Sequence, residues 1–102
     1  MDSNKLANML GIAQKAGKII SGEFAVEQAI RSKKACLVLL AGDASLNTKK
    51  KYNDLVAFYE VPLYEIFSKE EMGESIGKVH RAAIAVNDPG FSQALKKILS
   101  GE

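Results

Sequence analysis

Apolar residues recur near the N-terminus at Leu6, Met9, Leu10 and Ala13, the three- and four-residue spacing of a helix that buries one stripe. The pattern predicts an amphipathic helix from about Ser3 to Lys15, capped by Asp2 or Ser3 and closed by Gly17. A very short strand, Ile19 to Ser21, comes next. A second helix then starts at Gly22 or Glu23 and runs to Ser32, with Val26, Ala29 and Ile30 inward. Glu23 in its first turn and Arg31 near its end suit the helix dipole.

Two stretches are apolar at every position, Cys36 to Ala41 and Ala82 to Val86. Bounded by turn residues, such runs suit strands covered on both faces, although periodicity alone also admits a helix for the first. Between them, a third helix is expected from Ser45 or Asn47 to Tyr59, with Tyr52, Leu55, Val56 and Tyr59 on one side. Lys49-Lys50-Lys51 occupies its early turns, where lysine gains nothing from the dipole; this hints at an outside anion. Val61 to Phe67 reads as a strand near a sheet edge, because Pro62 cannot donate to a ladder. Ser68-Lys69-Glu70-Glu71 is a capping box that starts a helix, which Gly73 and Gly77 keep short or broken. Lys78-Val79-His80-Arg81 forms a basic loop ahead of the second apolar run. Asp88 as cap and Pro89 at the first position open the last helix, whose stripe is Phe91, Ala94, Leu95, Ile98 and Leu99. Helices and strands thus alternate throughout, which implies an α/β fold with a sheet sandwiched between helix layers.

With 102 residues, 47% of them hydrophobic and 25% charged, the chain is expected to form one domain over 1–102 with a single core. The first residues open no secretory signal, and the longest apolar run is too short to span a bilayer. Cys36 is the only cysteine, which fits a reducing cytoplasm; inside an apolar run it reads as a small buried hydrophobe. A net charge of +2 is basic without announcing nucleic-acid binding by itself, so distribution matters more than the total. Lysines and arginines cluster at Lys15/Lys18, Lys33/Lys34, Lys49–Lys51, Lys78/Arg81 and Lys96/Lys97, and each cluster alone also suits a solvated face.

Catalytic chemistry finds little support. His80 is the only histidine, and no second cysteine pairs with Cys36, so no metal site is expected. Asp43 and Asp88 follow the two apolar runs, where catalytic carboxylates can sit, but each is also explained as a turn residue or a helix cap. Ser21-Gly22-Glu23 lacks the glycines of a phosphate loop. A binding role does better, because three features can share one end of the molecule. They are the Gly22 helix start, the pair Lys15 and Lys18 in the loop beside it, and the loop Gly77 to Arg81. Together they would offer helix-terminal N–H groups, cations and an apolar residue, Val79, for an unstacked base.

Several motifs carry a family resemblance. They are Ala16-Gly17, Ser21-Gly22 opening a helix, the run Lys34 to Ser45, Asn47-Thr48-Lys49-Lys50, Val61-Pro62, Ser68 to Gly73, Ile76-Gly77-Lys78 and the run Ala82 to Phe91. In order and over nearly the full length, the chain resembles the kink-turn-binding ribosomal-protein superfamily of archaea and eukaryotes, and most of all its small bacterial ylxQ-type members. The resemblance implies a three-layer α/β/α sandwich around a four-stranded mixed sheet of order 1-4-2-3, the last strand antiparallel to the others. It also implies cytoplasmic RNA binding without a cofactor. The start of the second helix would meet the sheared G·A pairs, and the loop before the last strand would pack on the extruded base.

The family's pattern is Gly, any residue, Asn, Glu, two residues, Lys. Gly22 fits its first position, but Phe24 stands where Asn is expected, Ala25 where Glu is and Gln28 where Lys is. Edge contacts are worth about 1–3 kcal/mol each, so losing polar readers removes specificity while phosphate attraction, with its salt dependence, survives. The reading is therefore a non-catalytic, ribosome-associated RNA-binding protein. Gly22, Glu23, Phe24 and Gln28 would line one side, Lys15 and Lys18 would reach phosphates, and Lys78, Val79 and His80 would form the opposite lip. Phe24 equally admits a place in the core, folded under its helix as a staple. The expected partner is a kink-turn or similarly bent RNA; no membrane, metal, cofactor or small-molecule substrate is expected, and the chain is expected to be a monomer. The alternative is a protein-interaction module that keeps the fold without specific RNA readout.

Overall fold

Caps and glycines set the element ends in the computed structural model, which describes residues 2–101. The order is α1 (Ser3–Lys15), β1 (Ile19–Ser21), α2 (Glu23–Arg31), β2 (Leu37–Leu40), α3 (Leu46–Tyr59), β3 (Leu63–Glu65), α4 (Lys69–Ser75), β4 (Ala83–Val86) and α5 (Pro89–Leu99). Asp2 caps α1 by accepting from the Lys5 N–H at 3.1 Å, and Asp88 caps α5 from the Phe91 N–H at 2.9 Å. The capping box of α4 closes in both directions: Ser68 Oγ accepts from the Glu71 N–H at 3.1 Å, and the Glu71 carboxylate accepts from the Ser68 N–H at 2.9 Å. Asp43, the other carboxylate that follows an apolar run, reaches across the chain and accepts from the Lys69 N–H at 2.8 Å. Both aspartates thus have structural roles.

The sheet has the order β1-β4-β2-β3. β4 runs antiparallel to both β1 and β2, while β2 and β3 are parallel. Ala85 stands between Ile20 and Val38, and Val38 in turn lies opposite Leu63. All eight residues of β2 and β4 are fully buried, which is why these runs carry no polar alternation. Successive side chains go to opposite faces. Ile20, Val38, Leu40, Ala83 and Ala85 pack with Val26 and Ile30 of α2 and Tyr52 and Val56 of α3. Ile19, Leu37, Leu39, Ile84 and Val86 pack with Leu6 and Leu10 of α1, Met72 of α4 and Leu95 of α5. The result is the expected sandwich, with two helices on one face and three on the other.

Four expectations change. Cys36 is half-buried rather than buried, because it lies one residue ahead of β2, where its N–H donates to Val86 O at 2.7 Å. The edge strand β3 keeps only three of the residues from Val61 to Phe67. Pro62 stands just outside it, its carbonyl accepting from the Val38 N–H at 2.9 Å. The lysine run on α3 is paired within the protein: Lys49 with Glu65 at 3.2 Å, Lys50 with Asp54 at 2.8 Å and Lys51 with Glu27 at 3.4 Å. That pairing removes the reason to expect an outside anion there. α4 is short, as expected, at seven residues, with Gly77 at φ +71° following its end, but Gly73 lies buried within it rather than at a break. No helix among the described residues is long and apolar enough to cross a membrane.

Candidate functional site

Among the five helices of the described residues, α2 alone begins without a side-chain cap. Gly22 occupies the cap position at φ 97°, ψ 143°, a conformation open essentially to glycine alone. Its N–H donates to Ala83 O at 3.2 Å, which ties the helix start to the beginning of β4. A Cβ built on Gly22 would meet nothing within 4 Å, so it is the backbone conformation and not crowding that calls for glycine here. From behind, α3 holds this start in place. The Tyr52 hydroxyl donates to Glu23 O at 2.7 Å, and Thr48 Oγ1 donates to Glu23 Oε1 at 3.3 Å. Burial, with smaller effects from the Glu23 and Glu27 charges, pushes the Tyr52 phenol well above its usual range, so it remains a neutral donor at any physiological pH.

The loop from Gly77 to Ala82 lies beside this start, because β1 and β4 are antiparallel with Ser21 opposite Ile84. It is braced on α4 by two backbone bonds, Lys78 N–H to Gly73 O at 2.9 Å and Arg81 N–H to Lys69 O at 3.0 Å. Gly73 permits the close approach: a Cβ there would overlap the Val79 carbonyl oxygen and lie 2.5 Å from its carbon. The Arg81 guanidinium spans the gap, donating from Nη1 to His80 O at 2.8 Å and from Nε to Ser21 Oγ at 3.4 Å. Lys78, Val79 and His80 all project into solvent.

Gly22, Glu23 and Phe24 therefore stand at the same end of the sheet as Lys78, Val79 and His80, with Gln28 one turn further along the exposed side of α2. Phe24 and Val79 are each 77% exposed. That exposure excludes the core staple considered for Phe24. The two remaining cations are placed differently from the sequence reading. Lys18 lies at the opposite end of β1, its carbonyl accepting from the Asn87 N–H at 3.0 Å, and an extended strand puts it about 13 Å from Gly22. Lys15 sits in the last turn of α1 and lines a groove of about 540 Å³ between α1 and α4, together with Glu71 and Glu74. Those carboxylates give the groove the wrong sign for a polyanion.

Three residues of this end were not singled out from the sequence. Arg81 was visible only as part of a basic run. Gly73 carried a helix-breaking signal, whereas its importance is a through-space contact. Leu46, 82% exposed as the first residue of α3, falls off that helix's buried stripe, a signal that was available. Among the described residues no cluster of three or more histidine, cysteine or carboxylate side chains is arranged to hold a metal ion.

The model of the ribosomal protein L7Ae/L30e/S12e/Gadd45 family matches residues 4–96. The RNA-binding protein YlxQ of Enterococcus faecium is 43% identical over 97 residues, covering 95% of this chain and 93% of its own length. YlxQ of Bacillus subtilis, also named an RNA-binding protein, is 45% identical over 91 residues, covering 89% of this chain and 91% of its own length. A solved structure of a protein of unknown function from Bacillus halodurans superposes with a TM-score of 0.91 at 34% identity, over 94% of this chain and 97% of that one. The Giardia lamblia 15.5kD RNA binding protein superposes with a TM-score of 0.82 over 97% of this chain and 85% of its own; at 20% identity it shows a shared fold.

Proposed function

Because the chain belongs to the ribosomal protein L7Ae/L30e/S12e/Gadd45 family, we propose that it is a non-catalytic RNA-binding protein. Its target in this reading is a kink-turn or similarly bent RNA in or near the ribosome, bound by a cytoplasmic monomer. One observation carries the proposal: the uncapped start of α2 at Gly22 adjoins the Gly77–Arg81 loop, and each contributes one apolar side chain, Phe24 and Val79, that is 77% exposed. The RNA-binding proteins YlxQ, similar along most of this chain, support the same partner class.

In this reading the first N–H groups of α2 donate to base-edge acceptors or phosphate oxygens. Lys78 and His80 meet phosphates, Arg81 holds the two halves together, and Val79 packs on an unstacked base. Glu23 fixes the helix start through α3, and its carboxylate is already engaged with Thr48. Gln28 supplies one amide, and Phe24 and Ala25 supply no hydrogen-bonding side chain, so recognition rests on shape and charge more than on edge readout. Lys18 contacts phosphate only of an RNA that continues past the β1 edge, and Lys15, beside Glu71 and Glu74, stands outside the interface.

Gel-shift titration tests the reading with a kink-turn RNA and with a variant whose sheared G·A pairs are replaced by Watson–Crick pairs. Tight binding to the first alone is expected. Equal weak binding to both, lost at modest salt, would reduce the interaction to generic electrostatics. Absence of binding to either would leave the protein-interaction alternative. Lys78→Ala is expected to weaken binding and lower the salt slope by about one; an unchanged slope would remove Lys78 from the interface.

A further inference from the structure

On the outer side of α2, sharing Phe24 with the Gly22 edge, is a concavity of about 270 Å³. Ile20, half-buried, and Ala29, buried, form its depth. Ala25 extends this apolar surface outward, while Phe24, Gln28 and Lys34 stand exposed around it. No carboxylate is among its described lining residues. The volume falls below the roughly 300–1,000 Å³ of pockets that enclose drug-sized ligands, and it suits a single planar ring.

We propose that this concavity receives one unpaired nucleobase, stacked on the Phe24 ring, with its polar edge toward the Gln28 amide and its phosphate toward Lys34. The inference rests on the RNA-binding reading and deepens it by naming what this face of α2 holds. Three features favour a base over an apolar side chain from a protein partner. An exposed aromatic ring offers a stacking platform that accepts any base. An amide pairs with the donors and acceptors of a base edge. A cation without a competing carboxylate suits a phosphate. An apolar side chain would fill the floor and leave Gln28 and Lys34 without partners. The site is separate from the Val79 lip: one lies on the α2 face and the other on the loop braced by α4.

The chain contains no tryptophan, so Phe24→Trp places a single reporter on an exposed position where the fold is not perturbed. Its fluorescence is followed while adding kink-turn RNA, the same RNA with its unpaired nucleotides made abasic, and a continuous duplex. Quenching by the first alone is expected. In parallel, Phe24→Ala should bind the intact RNA roughly tenfold more weakly and should lose less than the wild type does when the RNA is made abasic, since the contact with the Phe24 ring is already gone and only the base on Val79 remains to be lost. Binding of intact RNA by Phe24→Ala at wild-type affinity, with the fluorescence of the Phe24→Trp variant unchanged at saturation, overturns the inference; it leaves a protein side chain as the occupant while the RNA-binding reading stands. If the wild-type protein binds none of the three RNAs, both fall together.

Discussion

Gly73→Ala is the most informative single change to the scaffold, because two opposing effects can be weighed against each other. In an ordinary helix interior the substitution would stabilise by about 1 kcal/mol through helix propensity. Here the new Cβ would overlap the Val79 carbonyl oxygen and lie 2.5 Å from its carbon, so that carbon must retreat by about 1 Å to reach ordinary contact. The retreat strains or breaks the bonds from Lys78 N–H to Gly73 O and from Arg81 N–H to Lys69 O, each worth about 0.5–1.5 kcal/mol. Overpacking adds about 1–3 kcal/mol. The expected net loss is therefore about 3 kcal/mol in urea denaturation, within a range of about 1–5 kcal/mol, and about 3 kcal/mol is equivalent to a fall in melting temperature of roughly 12–24 °C for a domain of this size. RNA affinity should fall as well, because Lys78 and Val79 move with the loop. Gly11→Ala provides the contrast: its nearest contact would be Ser75 O at 3.4 Å, so it should be neutral or stabilise by up to about 1 kcal/mol. If Gly73→Ala behaves like Gly11→Ala in both stability and RNA affinity, the claim that Gly73 seats the loop is wrong.

Gly22→Ala should cost about 1–3 kcal/mol of stability through backbone strain alone, since no atom lies within 4 Å of the added Cβ; a neutral result in thermal denaturation would contradict the glycine-only assignment. Tyr52→Phe removes the 2.7 Å bond to Glu23 O and should cost about 1–2 kcal/mol, with RNA affinity falling further as the helix start loosens; unchanged stability and binding would count against this brace. The Glu27 carboxyl is held below its usual value, chiefly by its hydrogen bond from Arg31, with Lys51 assisting and desolvation opposing. Because the folded pKa is the lower one, its contribution is present above pH about 4.5 and is lost as pH falls through the folded value. Glu27→Gln should therefore cost at most about 1 kcal/mol at pH 7 and progressively less as pH falls below about 4.5, and a cost that does not diminish in acid would point to packing instead.

Local signals carried most of the fold. The two uninterrupted apolar runs became the doubly covered central strands, and the capping box and Asp88-Pro89 mark true boundaries, because each acts within a few residues; Pro62 pointed to the sheet edge but stands outside the strand it was expected to join. The mixed order of the sheet came from resemblance, since no local pattern encodes which strands adjoin. What escaped the sequence depends on distance through space. Lys49 and Lys51 are answered by Glu65 and Glu27 from other elements. Lys18 is close to Gly22 in the chain yet separated from it by the length of β1. Gly73 looked like a breaker because its partner, the Val79 carbonyl, returns only after the chain reverses. The Gly22 edge was legible as a place; the exposure of Phe24 and the concavity behind it were not, because a helix's pattern does not say whether its flanking aromatic is covered by another element.

Amide chemical-shift mapping of the protein during titration with kink-turn RNA would locate the interface residue by residue. The largest changes are expected on Gly22 to Ala25, Gln28 and Gly77 to Arg81, with α5 and the Glu71–Glu74 side of α4 silent. Changes concentrated in the groove between α1 and α4, or no localised changes at saturating RNA, would contradict an RNA interface at the Gly22 edge.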